Sequence, residues 1–220
     1  MNRSLRIDAY VDTVCPWCLL GKRRLEAALA ARPGYAPRIA WRPFELNPDL
    51  PLEGVDRTAF IAARIADPER FLAGQGALTE LGREAGIQFR FDRIVRVPNT
   101  RRSHLLVALA ARRGRQSEVL ERVMRAYFEE GRDIGDLDEL VRLGKEAGLD
   151  EREASRALVL RSGQDAVLAA ERHAAALGLS GVPAFVFNGE YAITGAREPQ
   201  ELVAAMDQVV ASPADGGGAG

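Results

Sequence analysis

The chain has 220 residues, of which 47% are hydrophobic and 28% charged. That composition is typical of a globular protein and not of a disordered or membrane-spanning one. Thirty basic and 31 acidic residues give a formal net charge of -1, so a general electrostatic attraction to nucleic acid or anionic lipid is not expected. The two cysteines, Cys15 and Cys18, are too few for a disulfide scaffold but suffice for one reactive pair.

The first part of the chain has the pattern of a crossover unit. Apolar residues at positions 5, 7, 9 and 11 alternate with polar ones, which predicts a strand over 5–11. Leucines and alanines at helical spacing then predict a helix that opens near Pro16 and ends before Pro33. A second strand is predicted over 38–44, so we expect a parallel pair joined by a helix.

The rest of the chain is predicted to be helical until a final hairpin. Residues 56–177 show helical spacing, clearest over 117–130, and no convincing strand. Near the end, Asn188-Gly189 separates two short strand patterns and predicts a tight antiparallel hairpin. An amphipathic helix is predicted over 198–211, and residues 213–220 are expected to form a disordered tail.

The cysteines lie three positions apart at the predicted start of the first helix. This spacing puts them on one face, near the Cα separation of about 5.5 Å that a disulfide prefers. A helix amino end favours an anion and lowers a thiol pKa from about 8.5 to about 3.5–7.5, so Cys15 is predicted to be the reactive thiolate. Cys18, one turn inside, suits a resolving thiol.

Two alternatives for the cysteine pair are half of a zinc site and two inert core thiols. Zinc takes four ligands, and the two histidines, His104 and His173, have no partner at ligand spacing. A Pro-Trp insert that follows a strand and opens a helix is the context of a redox motif. We therefore expect a redox pair and no metal ion.

The order of elements resembles the DsbA-like thioredoxin fold, and several motifs resemble its FrnE-type cytoplasmic branch, which is related to 2-hydroxychromene-2-carboxylate isomerases and kappa glutathione transferases. These motifs are Asp12–Cys18, Trp41–Pro48, Pro98–Thr100, Ala126–Phe128, Gly181–Pro183 and Gly195-Ala196. The resemblance implies an α/β protein in which residues 1–55 and 166–212 form a thioredoxin-like domain. A large all-helical domain, residues 56–165, is inserted between its two halves.

The resemblance also implies roles for individual residues. Cys15 is expected to be the nucleophile and Cys18 the resolving thiol, with Pro183 as a cis-proline that faces them. A cis bond presents the backbone of Val182 as an edge with which a substrate chain can pair. The predicted substrate-binding residues are Pro16, Trp17, Asn47 and Val182, and the last two also stand where a glutathione backbone could be held.

Proton transfer is the point at which the sequence departs from its relatives. DsbA-like and thioredoxin enzymes often hold a buried carboxylate in the first strand, whereas the inward-pointing positions here carry Ile7, Ala9 and Val11. Asp12 is the nearest acid, and it is either a proton acceptor for Cys18 or a strand-end or helix-capping residue. His104 either helps to bind substrate or packs behind a helix.

The predicted activity is thiol–disulfide exchange on disulfide-containing proteins or small molecules, with no bound cofactor and with glutathione as a candidate reductant or co-substrate. A glutathione-dependent isomerase or transferase of the hydroxychromene-carboxylate type is an alternative, although those relatives typically place Ser where Cys15 stands. A non-catalytic redox sensor is a further alternative.

Partners and location are also predicted. Eight arginines against one acid give residues 90–115 a net charge of +7, but ten acids against four bases give residues 129–153 a compensating -6. Because no stacking aromatics interleave the arginines, nucleic acid is not expected as a partner, and neither is a membrane. The polar start, residues 1–6, has no room for a signal peptide, so a cytoplasmic protein is expected. Monomer and homodimer both stay open.

Overall fold

The structure is a computed structural model that describes residues 3–211. Within this range the strands are β1 (Arg3–Val11), β2 (Tyr35–Pro43), β3 (Val55–Asp56), β4 (Arg96–Val97), β5 (Ala184–Phe187) and β6 (Tyr191–Thr194). The α-helices are α1 (Pro16–Ala30), α2 (Arg57–Arg64), α3 (Pro68–Glu84), α4 (Arg101–Ala111), α5 (Gln116–Arg125), α6 (Leu137–Glu146), α7 (Glu151–Val159), α8 (Gln164–Ala176) and α9 (Pro199–Ala211). The tail predicted for 213–220 lies outside the described residues.

Four strands form one mixed sheet in the order β2-β1-β5-β6. β1 and β2 are parallel, whereas β5 runs antiparallel to both β1 and β6. The predicted crossover unit and the predicted hairpin are both confirmed, and the hairpin turn has positive φ at Asn188 (51°) and Gly189 (81°). With helices on both faces of this sheet, the chain has the predicted α/β thioredoxin-like fold with a helical insertion.

β2 begins at Tyr35, three residues before the predicted start at 38. The early residues were missed because Pro37 interrupts them and proline cannot donate to a sheet ladder. β2 is an edge strand, however, and pairs only with β1. Pro37 stands opposite Leu5, and on the other side of Pro37 the described residues form no strand whose hydrogen bonds the proline could break.

The alternation in β1 divides the core between the two faces of the sheet. Leu5, Ile7, Ala9 and Val11 are buried in the main core, together with apolar residues of α1 and α9. Tyr10, on the opposite face, packs with Ala174 of α8 and with Ala184 and Val186 of β5 in a smaller cluster. Burial on both faces makes β1 the centre of the fold and fixes the position of the segment that follows it.

The segment between β2 and β5 is mostly helical, but the expectation of no strand in residues 56–177 was wrong. β3 and β4 pair antiparallel through Val55–Val97 and Asp56–Arg96. A ladder of two residues is too short to show a period of two, so the sequence pattern could not reveal it. The predicted domain boundaries stay a prediction, and they fall within β3 and within the first turn of α8.

The helix predicted over 117–130 is present as α5 and a wider π-helical turn, Ala126–Glu130. Across residues 3–211, none of the helices is both long and apolar enough to cross a bilayer.

Candidate active site

Cys15 and Cys18 lie at the amino end of α1, where the sequence places them. Cys15 is the N-cap residue, with an extended backbone, and no side chain caps the helix there. Its amide donates to the carbonyl of Asp12 at 3.1 Å, and the amide of Cys18 donates to the carbonyl of Cys15 at 2.9 Å. Both thiols are free. Cys15 thus stands at the end of the helix where the dipole favours negative charge.

The two sulfurs have different surroundings. Cys15 is 4% exposed and Cys18 is fully buried. Burial raises the pKa of the Cys18 thiol well above its ordinary value, and the hydrogen bond to Cys15 and the charge of Cys15 raise it further; the charge of Asp12 also raises it. The buried thiol therefore holds its proton until a nearby base accepts it.

The third predicted catalytic residue, Pro183, is brought to the cysteines by the register of the sheet. Tyr10 near the end of β1 pairs with Ala184 at the start of antiparallel β5, so the segments that follow β1 and precede β5 meet at one edge. The Val182–Pro183 peptide bond is cis, as predicted. The thiol of Cys15 points to the carbonyl oxygen of Val182, with 3.6 Å between sulfur and oxygen.

Beside the cysteine pair lies a cavity of about 370 Å³, which we call the Trp17 cleft. Pro16, Trp17 and Asn47 line one side of it, and the Trp17 side chain is 43% exposed. The other side is formed by α2, α3, the segment leading into β4 and the π-helical turn. Three of the four predicted substrate-binding residues thus share one cleft, whereas the fourth, Val182, contacts Cys15 instead.

Asp12 lies in a buried polar cluster behind the cysteines. It is fully buried, and its Oδ2 accepts a hydrogen bond from the amide of Leu46 at 2.7 Å. The side chain therefore holds the loop after β2. Asp12 directly follows β1, as the strand-end interpretation expects, and only the expectation that it caps α1 is wrong. Its Oδ1 has no hydrogen-bond partner among the described residues and lies 3.3 Å from Nε2 of His104.

His104 is only 3% exposed and lies beside buried Asp12, so it is packed in the interior and is not positioned to touch substrate. Its neighbour Ser103 shares a 2.7 Å hydrogen bond with Thr13, on the segment between β1 and α1. Together these contacts attach α4 to the active-site segment. The sequence did not indicate the Thr13–Ser103 bond, because hydroxyl residues are common and the two are distant in the chain.

A second pair of acids, Glu45 and Glu171, lies next to His104. Buried Glu45 pairs with Arg101, and half-buried Glu171 on α8 lies against Glu45. Burial, the hydrogen bond to Glu45 and the charge of Glu45 raise the pKa of Glu171 to about 7. Loss of solvent and a neighbouring negative charge both disfavour the ionised form of Glu171, so this carboxyl group is partly protonated near neutral pH.

Several residues of the Trp17 cleft were missed by the sequence analysis, namely Arg57, Phe60, Ile61, Arg70, Phe71 and Gln75. They come from α2 and α3, where apolar residues at helical spacing could have indicated an apolar face. The sequence pattern gives no indication that this face is turned toward Trp17. Across residues 3–211 no three His, Cys, Asp or Glu side chains gather in an arrangement that could hold a metal ion.

Comparison with known proteins places this geometry in a family. The model of the DSBA-like thioredoxin domain matches residues 6–207. The chain is 30% identical over 194 residues to the uncharacterized protein YwbO of Bacillus subtilis, an alignment that covers 88% of this chain and 91% of that protein.

Solved structures share the fold of this chain. A probable DsbA oxidoreductase, SCO1869 of Streptomyces coelicolor, superposes with a TM-score of 0.86 at 33% identity, over 93% of this chain and 89% of that one. The cytosolic disulfide reductase DsbM of Pseudomonas aeruginosa, solved with GSH, shares the fold with a TM-score of 0.63 at 21% identity, over 94% and 96% of the two chains. The chain therefore belongs to the DSBA-like thioredoxin domain family.

Proposed function

We propose that this protein catalyses thiol–disulfide exchange on disulfide-bearing proteins or small molecules, with Cys15 as the nucleophile and Cys18 as the resolving thiol. The observation that carries the proposal is the pair of free thiols at the start of α1, one of them facing the Val182 carbonyl at 3.6 Å. Membership of a DsbA-like oxidoreductase family supports the same chemistry.

The reaction proceeds in two exchanges when the protein acts as a reductant. The Cys15 thiolate attacks one sulfur of the substrate disulfide, forms a mixed disulfide and releases the other substrate sulfur as a thiolate. Cys18 then loses its proton and attacks the Cys15 sulfur, which closes the Cys15–Cys18 disulfide and releases the second substrate thiolate. Two electrons pass to the substrate, and a thiol reductant such as glutathione restores the dithiol. Run in reverse, the same steps oxidise a substrate dithiol.

Val182 is proposed to align the substrate and Asp12 to accept the Cys18 proton. The Val182 carbonyl is beside the reacting sulfur, so an extended substrate can hydrogen-bond to this backbone while its disulfide meets Cys15. The charge of Asp12 acts on Cys18. Its Oδ1, which lies 3.3 Å from Nε2 of His104 and accepts no hydrogen bond among the described residues, gives a proton an acceptor in the buried interior. The proton thus moves from the Cys18 sulfur to a carboxylate and not directly to water.

The test is turnover of insulin or scrambled ribonuclease by three proteins: the wild type, Cys15→Ser and Cys18→Ser. We expect turnover by the wild type, none by Cys15→Ser, and accumulation of a mixed disulfide on Cys15 of Cys18→Ser, seen by mass spectrometry. Equal turnover by the wild type and Cys15→Ser would refute the proposal.

A glutathione-dependent isomerase or transferase is the second candidate. It is favoured by Asn47 in the Trp17 cleft and by the backbone carbonyl of Val182, which faces Cys15, two places at which a glutathione backbone can be held. Calorimetry with glutathione and an S-alkyl analogue separates the candidates, because stoichiometric binding without disulfide turnover supports this one. Reversible oxidation with a conformational change but negligible turnover would instead identify a redox sensor.

A reducing compartment suits the proposed activity, because there a close dithiol is kept ready to react. The DsbM structure is described as that of a cytosolic disulfide reductase, and we propose the cytoplasm for this chain as well.

A further inference from the structure

α2 is an amphipathic helix without a buried residue. Its apolar residues Phe60 and Ile61 are only partly buried, and they line the Trp17 cleft together with Phe71 of α3. Trp17 stands exposed across from them. Because aromatic rings gain stability when water is excluded from their faces, this arrangement leaves a surface that a flat apolar ligand can cover.

Two arginines give the same cleft a positive charge. Arg57 and Arg70 both line it, and Arg57 donates a 3.0 Å hydrogen bond to the amide oxygen of Gln75, a neutral partner. Two neighbouring acids, Asp56 and Asp67, accept from backbone amides and cap α2 and α3, and Glu69, directly before Arg70, lies in the first turn of α3. No carboxylate of residues 3–211 forms an ion pair with either guanidinium, whereas Arg64 on the same helix is paired with Asp49.

The size of the cleft restricts its occupant. A volume of about 370 Å³ is near the lower end of pockets that enclose small molecules, roughly 300–1,000 Å³. A planar carboxylate matches the fork of a guanidinium, and a single charge is less costly to remove from water than a doubly charged group in such an apolar cleft.

We propose that the Trp17 cleft binds a small aromatic molecule that carries a carboxylate, and that disulfides of this class are preferred substrates of the Cys15–Cys18 pair. This inference rests on the proposed thiol–disulfide exchange. Arg57 and Arg70 bind the carboxylate, and the rings of Trp17, Phe60 and Phe71 cover the aromatic part. The cleft begins at Pro16 and Trp17, directly after Cys15 in the chain, so a ligand seated there has its sulfur near the nucleophile.

Two aromatic disulfides test the preference. 5,5′-Dithiobis(2-nitrobenzoate) carries two carboxylates, and 4,4′-dithiodipyridine is uncharged; stopped-flow absorbance gives the rate constant of each with the reduced protein. We expect the double variant Arg57→Gln/Arg70→Gln to lower the ratio of the anionic to the neutral rate constant about tenfold or more, since charge-assisted hydrogen bonds are lost. Arg70 is exposed, so Arg70→Gln alone should lower the ratio without disturbing the fold.

The matched control is Arg64→Gln. It removes one positive charge, as Arg70→Gln does, but Arg64 is paired with Asp49 outside the cleft lining. The ratio should therefore stay within about twofold of the wild type, because long-range attraction between exposed charges is screened by salt. An equal fall in Arg64→Gln and in Arg70→Gln would show a general charge effect and overturn the proposal.

Binding is measured separately from redox chemistry. Calorimetry of the reduced wild type should detect 4-phenylbutyrate and not the uncharged 4-phenylbutyramide, and Arg57→Gln/Arg70→Gln should abolish the difference. If neither disulfide reacts but phenylbutyrate binds as expected, the exchange activity fails and the assignment of the cleft stands. Two results would show that the ligand class is wrong while the exchange activity stands. In the first, both disulfides react and the arginine variants leave the ratio of the anionic to the neutral rate constant unchanged. In the second, both disulfides react and phenylbutyrate binds no better than its amide.

Discussion

The close approach of α1 to Pro183 can be tested at Gly21. A methyl group built at Gly21 would lie 2.8 Å from Cγ of Pro183 and 3.3 Å from Cζ of Phe185. Pro183 is buried and Phe185 is fully buried, so neither ring can move away freely. Gly21 thus lets the helix that carries the cysteines pack directly against the proline that faces them.

Gly21→Ala has two opposing effects on the free energy of unfolding. Alanine is favoured over glycine in a helix by about 1 kcal/mol, whereas overpacking a core of this kind costs about 1–3 kcal/mol. Gly76→Ala is the matched control, because Gly76 lies inside α3 and its added methyl group meets nothing within 4 Å. The gain from replacing glycine by alanine in a helix is then nearly the same in both variants. The difference between their free energies of unfolding therefore measures the cost of overpacking at Gly21.

We expect Gly76→Ala to be more stable than the wild type by about 1 kcal/mol and Gly21→Ala to be about 1–3 kcal/mol less stable than Gly76→Ala. Urea unfolding followed by far-ultraviolet circular dichroism gives both values. Gly21→Ala should also lower kcat/KM in the insulin assay, because the methyl group displaces Pro183 and the Val182 carbonyl from Cys15. Equal stabilisation by the two substitutions would refute the reasoning about this contact.

Two further predictions concern the buried acids. Asp12→Asn should slow the resolution of the mixed disulfide about 100-fold to 10,000-fold near neutral pH, since the general base is lost, while the first attack by Cys15 is unchanged. Quenched-flow alkylation of the Cys15 adduct separates the two steps, and an unchanged second step would exclude Asp12 as the acceptor. The second prediction follows from the pKa of Glu171, which is raised to about 7. The folded protein binds a proton there that the unfolded chain has lost, so this stabilisation is complete below about pH 4.5 and disappears as the pH rises to about 7. Glu171→Gln should flatten the fall in unfolding free energy across that window, and an unchanged pH dependence in urea titrations would contradict the raised pKa of Glu171.

Local patterns in the sequence determined the strands, the hairpin and the first helix of the thioredoxin-like part. The alternation in β1 and the Asn188-Gly189 turn depend on backbone geometry and on neighbours within a few positions, so both were predicted from the sequence. The position of the cysteines at the start of α1 follows from the same local change of period at Pro16. The site residues Cys15, Cys18 and Pro183 were identified from motifs, and the sheet register explains why they meet.

The tertiary structure alone decided how the helical segment between β2 and β5 packs against the thioredoxin-like part of the chain. Asp12 is placed beside His104, and Trp17 is placed opposite Arg57 and Phe60, by contacts between residues far apart in the chain. Such contacts depend on how whole helices pack and leave no periodic signal in the sequence. The sequence therefore determined the scaffold and the position of the two thiols, whereas the charge and the apolar lining of the cleft beside the sulfurs arise only when α2 and α3 pack across from the start of α1.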